Sequence, residues 1–283
     1  MRVGGNVSDT RLQNLRAAIN DTGAAMSYEH AVVSFVDILG FKALVETRAA
    51  KEINQILSRL ETTAQPFMMA GEEKPIVFMN FSDTVVRISP LSSKSNRELI
   101  LKVSTEMMDL ASSQALLAQR GVLLRGGMTV GEIAYADRRI FGPAMNRAYQ
   151  LESEHARFPR IVLDPSLSQR LRRVLEDFGD ERPIEEYYLQ QYAGRDSDLY
   201  FIDYVGGVCE EEADSEEAYH FLRNHAHVVR RGLETHTHPR TIEKYEWLKT
   251  YHNNYVRGWT ERMKAAGRSI DEYLVPDPER PGS

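Results

Sequence analysis

The chain has 283 residues, of which 42% are hydrophobic, and its formal net charge is −6 at neutral pH. This length supports one large domain, or a core domain with an appendage. The negative charge argues against binding of a nucleic-acid polymer, which needs clustered lysine and arginine.

No apolar run approaches the roughly 20 residues of a membrane helix, and the N-terminus lacks the apolar segment of a secretory signal. A single cysteine, Cys209, is typical of a reducing compartment. We therefore expect a cytoplasmic protein with no membrane partner.

Two aspartates each follow a short apolar segment. Asp37 follows the nearly continuous apolar run 31–36, which predicts a strand buried on both faces at the centre of a sheet. Asp83 closes the segment 76–83 just before a second strand, 84–88, so a hairpin is predicted there. Two such carboxylates without a nearby histidine or cysteine suit Mg²⁺ or Mn²⁺, whose shells are usually completed by substrate phosphates. The alternative is that each aspartate caps a helix or a turn.

Helical patterns follow both strands. Apolar residues from Phe41 to Leu60 fall on one face and predict one long amphipathic helix. Its first turn would direct free N–H groups and the positive end of the helix dipole at whatever the metal holds. A second helix is predicted from about Arg97 to Gln119, with Met107 in the core.

Arg125 lies in the next predicted strand and is followed by Gly126 and Gly127. The planar fork of an arginine can engage two phosphate oxygens at once, so Arg125 is predicted to clamp a phosphate group. Glycine inside a strand marks a bulge or a close approach by a ligand or another chain. Further on, Pro143 predicts the start of a helix that places Asn146 in its first or second turn.

In order, the chain reads strand, aspartate, helix, hairpin with a second aspartate, helix, strand with Arg-Gly-Gly, and helix opened by Phe-Gly-Pro. This order resembles the class III nucleotidyl cyclase domain over roughly residues 31–165, and a weaker resemblance continues at residues 198–204. The motifs are most similar to those of the bacterial pyrimidine cyclases of Pycsar antiphage defence. The resemblance implies an α+β fold, an α/β sandwich. Its ferredoxin-like core would have a central, mostly antiparallel sheet flanked by helices, with a C-terminal helical appendage.

The resemblance also implies a reaction and a set of ligands. The enzyme would convert a nucleoside triphosphate into a 3′,5′-cyclic nucleotide and pyrophosphate. Two divalent ions per site, Mn²⁺ or Mg²⁺, would be held by Asp37, Ile38 and Asp83. The triphosphate would lie beside the turn that ends in Phe41 and against Arg125.

The two remaining family positions on the helix after Pro143 match only in part. In the family, an asparagine orients the ribose, and an arginine four residues later stabilises the transition state. Asn146 matches the first position, but Gln150 occupies the second. Either Gln150 is a weaker, uncharged donor, or Arg147 or Arg157 takes the role, or the site relies more on its metal. The sequence leaves these alternatives open.

Met79 and Arg139 occupy the positions with which purine cyclases of this class read the base. A bulky apolar residue would narrow the pocket, and an arginine can donate to the carbonyl-rich edge of a pyrimidine. Because uracil offers two carbonyl acceptors, UTP is favoured over CTP. The alternative for Arg139 is a solvated surface residue with no role in base recognition. The family's product would be a cyclic pyrimidine mononucleotide that activates a separately encoded effector. The alternatives are a cytidylate cyclase that makes cCMP and a degenerate module that only binds nucleotide or dimerises. A third is an ordinary adenylyl or guanylyl cyclase, against which Met79 and Arg139 argue.

Class III homodimers build each site from two chains arranged head to tail. By that resemblance, the metal and phosphate residues of one subunit would meet the base and ribose residues of the other: Asp37, Asp83 and Arg125 with Met79, Arg139 and Asn146. The paired glycines after Arg125 are then interpreted as a close approach at the dimer interface.

The patterns divide the chain into four parts. These are an N-terminal appendage (1–30), the cyclase domain (31–205), a C-terminal helical hairpin (206–270) and a disordered tail (271–283). A capping box from Asp214 to Glu217 is predicted to begin the first helix of the hairpin, and a second helix is predicted near Arg240 to Ala265. Four histidines, His225, His227, His236 and His238, are interpreted as a polar surface or hinge in preference to a metal cluster, because their spacing is not that of a zinc site.

Overall fold

The computed structural model describes residues 26–65, 76–93, 95–136, 139–176, 189–191, 199–211 and 215–277. Most of the predicted N-terminal appendage, and residues 278–283 of the predicted tail, lie outside these ranges. In the part of the chain that is described, none of the helices combines the length and apolarity needed to cross a membrane.

Strands and helices alternate along the described chain. The strands are β1 (Glu29–Ile38), β2 (Val77–Phe81), β3 (Thr84–Pro90), β4 (Leu124–Ala136), β5 (Arg139–Phe141), β6 (Ile161–Leu163), β7 (Leu189–Gln191) and β8 (Tyr200–Ile202). The α-helices are α1 (Phe41–Thr47), α2 (Ala50–Thr63), α3 (Asn96–Ala118), α4 (Pro143–Gln150), α5 (Pro165–Glu176), α6 (Tyr204–Glu211), α7 (Glu216–Thr235), α8 (Pro239–Gly258) and α9 (Thr260–Ala265). A π-helical turn (Leu151–His155) extends α4, and a 3₁₀ turn (Ile270–Glu272) follows α9.

One sheet organises the fold, with the strand order β2-β3-β1-β4-β6-β8-β7 and with β5 folded back on β4. All the pairs are antiparallel except β4 with β6. The first four strands, with the helices between them, follow the β-α-β-β-α-β order of ferredoxin-like folds. The predicted α+β class, with a mostly antiparallel sheet flanked by helices, is confirmed.

Strand β1 lies between β3 and β4, as its unbroken apolar run predicts. Because side chains alternate between the faces of a strand, Val32 and Val36 enter the large core under the helices, whereas Ala31 and Val33 enter a smaller core on the other face. Burial on both faces fixes the register of β1, since a slip by one residue would exchange the two sets.

Of the two helices predicted in the first half of the chain, the one after β3 forms as a single helix and the one after β1 does not. Helix α3 forms as expected, with the Ser95 hydroxyl accepting a hydrogen bond from the Glu98 N–H at 3.2 Å. The single helix predicted from Phe41 is instead two helices, because the chain becomes extended at Arg48. The second begins where the Glu52 carboxylate accepts a hydrogen bond from the Ala49 N–H at 3.1 Å.

The C-terminal helices share the large core with the sheet, to which Leu222, Tyr251 and Trp259 contribute. The predicted capping residue Asp214 lies outside the described residues, and the hydroxyl of Ser215 caps α7 instead. The second helix of the hairpin is interrupted at Trp259, where α8 gives way to α9.

The predicted disorder of the tail is wrong for residues 271–277. Tyr273 and Val275 are buried in the core, and the Val275 N–H donates to the side-chain oxygen of Asn253 at 2.9 Å. The 3₁₀ turn and the residues after it therefore belong to the folded body of the protein.

A buried ion cluster ties β3 to α3. The guanidinium of Arg87, which is fully buried, donates to both carboxylate oxygens of Glu106 at 2.9 Å and to Asp109 at 2.5 Å. A further hydrogen bond reaches the carbonyl of Ala64 at the end of α2. These contacts satisfy a cation that would otherwise be costly to bury.

Replacing Arg87 with methionine should lower the free energy of unfolding by about 3–5 kcal/mol, because two carboxylates would lose their buried cation. Urea denaturation measures the change, and Arg59→Met, at an exposed position of α2, is the control. A loss no larger than that of the control would contradict the role assigned to the cluster.

The predicted polar surface is found for His227, His236 and His238, which are exposed, but not for His225, which is buried against His252. The Tyr273 carbonyl can only accept, so His252 Nε2 donates to it at 2.8 Å and His252 Nδ1 must accept. His225 Nδ1 therefore donates to His252 Nδ1 at 3.0 Å, and His225 Nε2 accepts from the Tyr204 hydroxyl at 2.7 Å. This arrangement holds when both rings are neutral, and it gives every ring nitrogen a hydrogen-bond partner.

This pair should make stability depend on pH. Burial lowers the pKa of His225 well below its usual value and that of His252 to about 4. Between pH 6.5, where unfolded histidines titrate, and pH 4, the unfolded chain binds more protons, so stability falls as the pH falls.

His252→Gln should reduce this pH dependence by about 1.4 kcal/mol per pH unit between pH 6 and 5. The glutamine amide can replace both hydrogen bonds of the ring but takes up no proton. Urea denaturation at each pH measures the slope, with His227→Gln on the exposed side of α7 as the control. Equal slopes in all three proteins would refute the assignment.

Candidate functional site

Asp37 and Arg125 lie directly opposite each other on β1 and β4. The guanidinium of Arg125 donates from Nε to Asp37 Oδ1 at 3.0 Å and from Nη2 to Oδ2 at 3.1 Å. Strand register alone brings these residues together although they are 88 positions apart in the chain. A two-pronged pair of this kind fixes the orientation of the carboxylate as well as its charge.

Asp83 joins this pair from the tight turn between β2 and β3. The turn requires a left-handed backbone at Ser82, with φ of +56°, and Asp83 directly precedes Thr84, the residue opposite Asp37 on β3. Burial, and then the negative charge of Asp37, raises the pKa of Asp83, against the opposing effects of hydrogen bonds in the turn and of Arg125. The two carboxylates are therefore near neighbours whose repulsion a cation would relieve.

Glu152 is a third acidic residue of the site, and the sequence reasoning missed it. Its carboxylate contacts Arg125 Nη2 at 2.5 Å, and its side chain is almost fully buried. Burial, followed by the charge of Asp37, raises its pKa to about 7. The π-helical turn after α4 carries Glu152 into this position, and no sequence pattern predicts such a turn.

The two glycines after Arg125 are explained by contacts within the chain. A Cβ on Gly127 would overlap the Ala148 carbonyl and would lie 2.5 Å from the Cβ of Leu151. A Cβ on Gly126 would lie 2.6 Å from the carbonyl oxygen of Phe35 on β1. The interpretation of these glycines as a dimer contact is corrected, since they admit α4 and β1 of the same chain.

The donors fit a hard divalent cation. Asp37 and Asp83 supply carboxylate oxygens, and Ile38, whose apolar side chain is buried, could contribute only its backbone carbonyl. Among the described residues, no group of three or more histidine, cysteine, aspartate and glutamate side chains is arranged to hold a metal ion. Such a partial set leaves coordination positions for water and phosphate oxygens, as is usual for Mg²⁺.

The other predicted site residues lie apart from this cluster. Arg139, Asn146 and Gln150 are exposed, and within the described residues of a single chain none has a recorded side-chain contact with Asp37 or Asp83. The remaining two are partly buried: Phe41 packs against the large core at the start of α1, and Met79 lies on β2.

The arginines considered for the transition state are both engaged. Arg147 donates to Asp164 at 2.8 Å and to the side-chain oxygen of Gln150 at 3.0 Å. Arg157 donates to both carboxylate oxygens of Glu243 on α8, at 2.7 and 2.6 Å. In a single chain, therefore, each guanidinium already neutralises a carboxylate.

Comparison with known proteins gives structural neighbours only. No family model and no curated protein matches the chain. The adenylyl cyclase CyaB from P. aeruginosa is 17% identical with a TM-score of 0.42, covering 63% of this chain and 96% of its own. The guanylyl cyclase domain of the RhoGC fusion protein from the aquatic fungus Blastocladiella emersonii is 13% identical with a TM-score of 0.42, covering 64% and 98%. Likeness at this level leaves function to be inferred from the residues of this chain.

Gly127→Ala should destabilise the protein by about 1–3 kcal/mol, because α4 must move away from β4 to admit the methyl group. Gly131→Ala on the same strand is the matched control, since its Cβ would lie 3.4 Å from the Cβ of Ala144. Urea denaturation of both variants provides the comparison. Equal losses would show that α4 does not depend on the glycine.

Proposed function

We propose that this protein is a metal-dependent nucleotidyl cyclase of the class III type. The observation that supports this most directly is the strand register that sets Asp37 against Arg125 and beside Asp83. These are the positions to which the family resemblance assigns metal binding and phosphate binding. A purely structural ion pair would not need a second carboxylate, Asp83, so close to Asp37 that the charge of Asp37 raises the pKa of Asp83.

In the proposed reaction, the ribose 3′-oxygen attacks the α-phosphorus, the bond from this phosphorus to the β-phosphate oxygen breaks, and pyrophosphate leaves. The 3′-hydroxyl proton passes to solvent. The chain contributes mainly positioning and charge neutralisation. Asp37, Asp83 and the backbone of Ile38 would hold two Mg²⁺ or Mn²⁺ ions, while Arg125 orients Asp37. When bound, the ions neutralise the triphosphate and lower the pKa of the hydroxyl.

We propose a homodimer with two composite sites. The smaller core, on the face of the sheet covered by α4, is bordered by exposed aromatic side chains: Tyr28 is 54% exposed, Phe141 46% and Tyr149 55%. Tyr28 contacts Phe141 with ring centroids 6.1 Å apart, and Tyr149 contacts Phe35 at 5.4 Å. Clustered exposed aromatics of this kind are typical of protein interfaces.

A dimer would also use the exposed residues of α4. Asn146 would orient the ribose bound to the partner's metal site, with Met79 and Arg139 against the base. Gln150 occupies the family position of the transition-state arginine, and Arg147 is committed to Asp164. In a single chain the Gln150 side-chain N–H donates to Glu154 at 2.9 Å. We propose that the substrate takes the place of Glu154, so that Gln150 acts as an uncharged donor in the transition state.

We further propose a pyrimidine substrate, UTP in preference to CTP, and a cyclic product that activates a separately encoded effector in antiphage defence. The catalytic domain would span 31–205, with 206–270 as the helical hairpin. A second candidate function is a module that binds nucleotide without turnover. The occupation of Arg125 by Asp37 and Glu152 is the observation that favours it.

The purified protein should form a cyclic nucleotide from one pyrimidine triphosphate when ATP, GTP, CTP and UTP are each supplied with Mn²⁺. Asp83→Ala should lower the rate at least about a hundredfold, because charge stabilisation by the metal is worth several kcal/mol. Chromatography of the products provides the measurement, and Glu261→Gln, an exposed change on α9, is the control.

The result separates the two functions. Nucleotide binding without product from any of the four triphosphates would favour the binding module. A purine product would retain the cyclase chemistry and contradict the roles of Met79 and Arg139.

A further inference from the structure

Helix α8 is held against the segment that follows the π-helical turn. Glu243 accepts two hydrogen bonds from Arg157, and Trp247 stacks on Phe158 with ring centroids 5.5 Å apart and planes 7° from parallel. One contact precedes Lys244 and the other follows it within a turn of the helix. The position of Lys244 is therefore set by tertiary contacts on both sides.

The segment that anchors α8 runs directly into the site. It follows the turn that carries Glu152 and leads to Arg160, whose carbonyl accepts a hydrogen bond from the Gly126 N–H, next to Arg125, at 3.1 Å.

Lys244 is thereby brought close enough for the charges of Asp37 and Arg125 to act on it. Its side chain is half-buried. Burial, and then the charge of Arg125, lowers the pKa of its ammonium group against the opposing charges of Asp37 and Glu243. Within the described residues, no ion pair or hydrogen bond of its ammonium group is recorded. A partly desolvated cation of this kind is costly unless an anion joins it.

Arg125 leaves phosphate binding incomplete. Its Nε and Nη2 atoms are occupied by Asp37, and Nη2 also contacts Glu152. Only Nη1 is contacted by neither carboxylate. A triphosphate carries several negative charges, and one free edge of a guanidinium cannot neutralise them. A second cation beside Arg125 would supply positive charge that the residues of the sheet do not provide alone.

We propose that Lys244 binds the phosphate chain of the substrate, so that the C-terminal helices form part of the active site of their own chain. The inference rests on the proposed function, since it names a further substrate contact of the same site. It gives helix α8 a role beyond covering the core. A compact ammonium group with rotatable donors suits phosphate oxygens, whose position changes as pyrophosphate leaves.

Isothermal titration of the full chain with inorganic tripolyphosphate in the presence of Mg²⁺ tests the inference without requiring turnover. Lys244→Met, which keeps most of the packing of the side chain, should weaken binding about tenfold or more, as expected for loss of a hydrogen bond to a charged group. Lys244→Arg should restore most of the affinity. Lys264→Met, at an exposed lysine of α9, should bind like the unchanged protein. Circular dichroism and thermal unfolding confirm that each variant folds, and Lys244→Gln replaces Lys244→Met if the latter does not.

Two outcomes would overturn the inference: no tripolyphosphate binding by the unchanged protein, or equal affinity in Lys244→Met. If the unchanged protein nevertheless makes a cyclic nucleotide, the cyclase proposal stands and only the role of Lys244 fails. If no triphosphate gives a cyclic product but tripolyphosphate binding depends on Lys244, the cyclase proposal fails and Lys244 remains a phosphate-binding residue.

Discussion

The pairing of Asp37 with Arg125 across the two central strands is the contact on which the candidate site depends. It requires the register of β1 and β4, because a shift by one residue would turn one side chain to the opposite face of the sheet. That register is fixed by burial of β1 on both faces. The packing of the core and the geometry of the site are therefore consequences of the same apolar strand.

The candidate site holds more carboxylates than cationic groups, and it is partly buried. Two carboxylates, from Asp37 and Glu152, contact the Arg125 guanidinium, and Asp83 lies nearby. The raised pKa values of Asp83 and Glu152 reflect desolvation first and then the negative charge of Asp37. Such a surplus of carboxylate is costly in an isolated chain and becomes favourable when cations and a polyanion are bound together. The arrangement suits a ligand that brings both kinds of charge.

Much of the sheet and the first part of the site could be predicted from the sequence. Apolar runs predict β1 and the hairpin, and Pro143 predicts the start of α4, because these signals are local in the sequence. Glu152 and Lys244 could not be found, since a π-helical turn and the packing of a distant helix bring them in. The burial of Tyr273 was missed for the same reason. The break at Arg48 was missed because the apolar pattern continues across it, although the Ala49–Glu52 hydrogen bond that begins the second helix is local.

The shared core of the sheet and the C-terminal helices limits how this chain could be recombined with other domains. A fusion joined just after β8 would remove Leu222, Tyr251 and Trp259 and expose the apolar residues they cover. Among the described residues, the unit that must stay together extends at least to Val275, so a C-terminal fusion that keeps this core intact begins beyond the final packed turn.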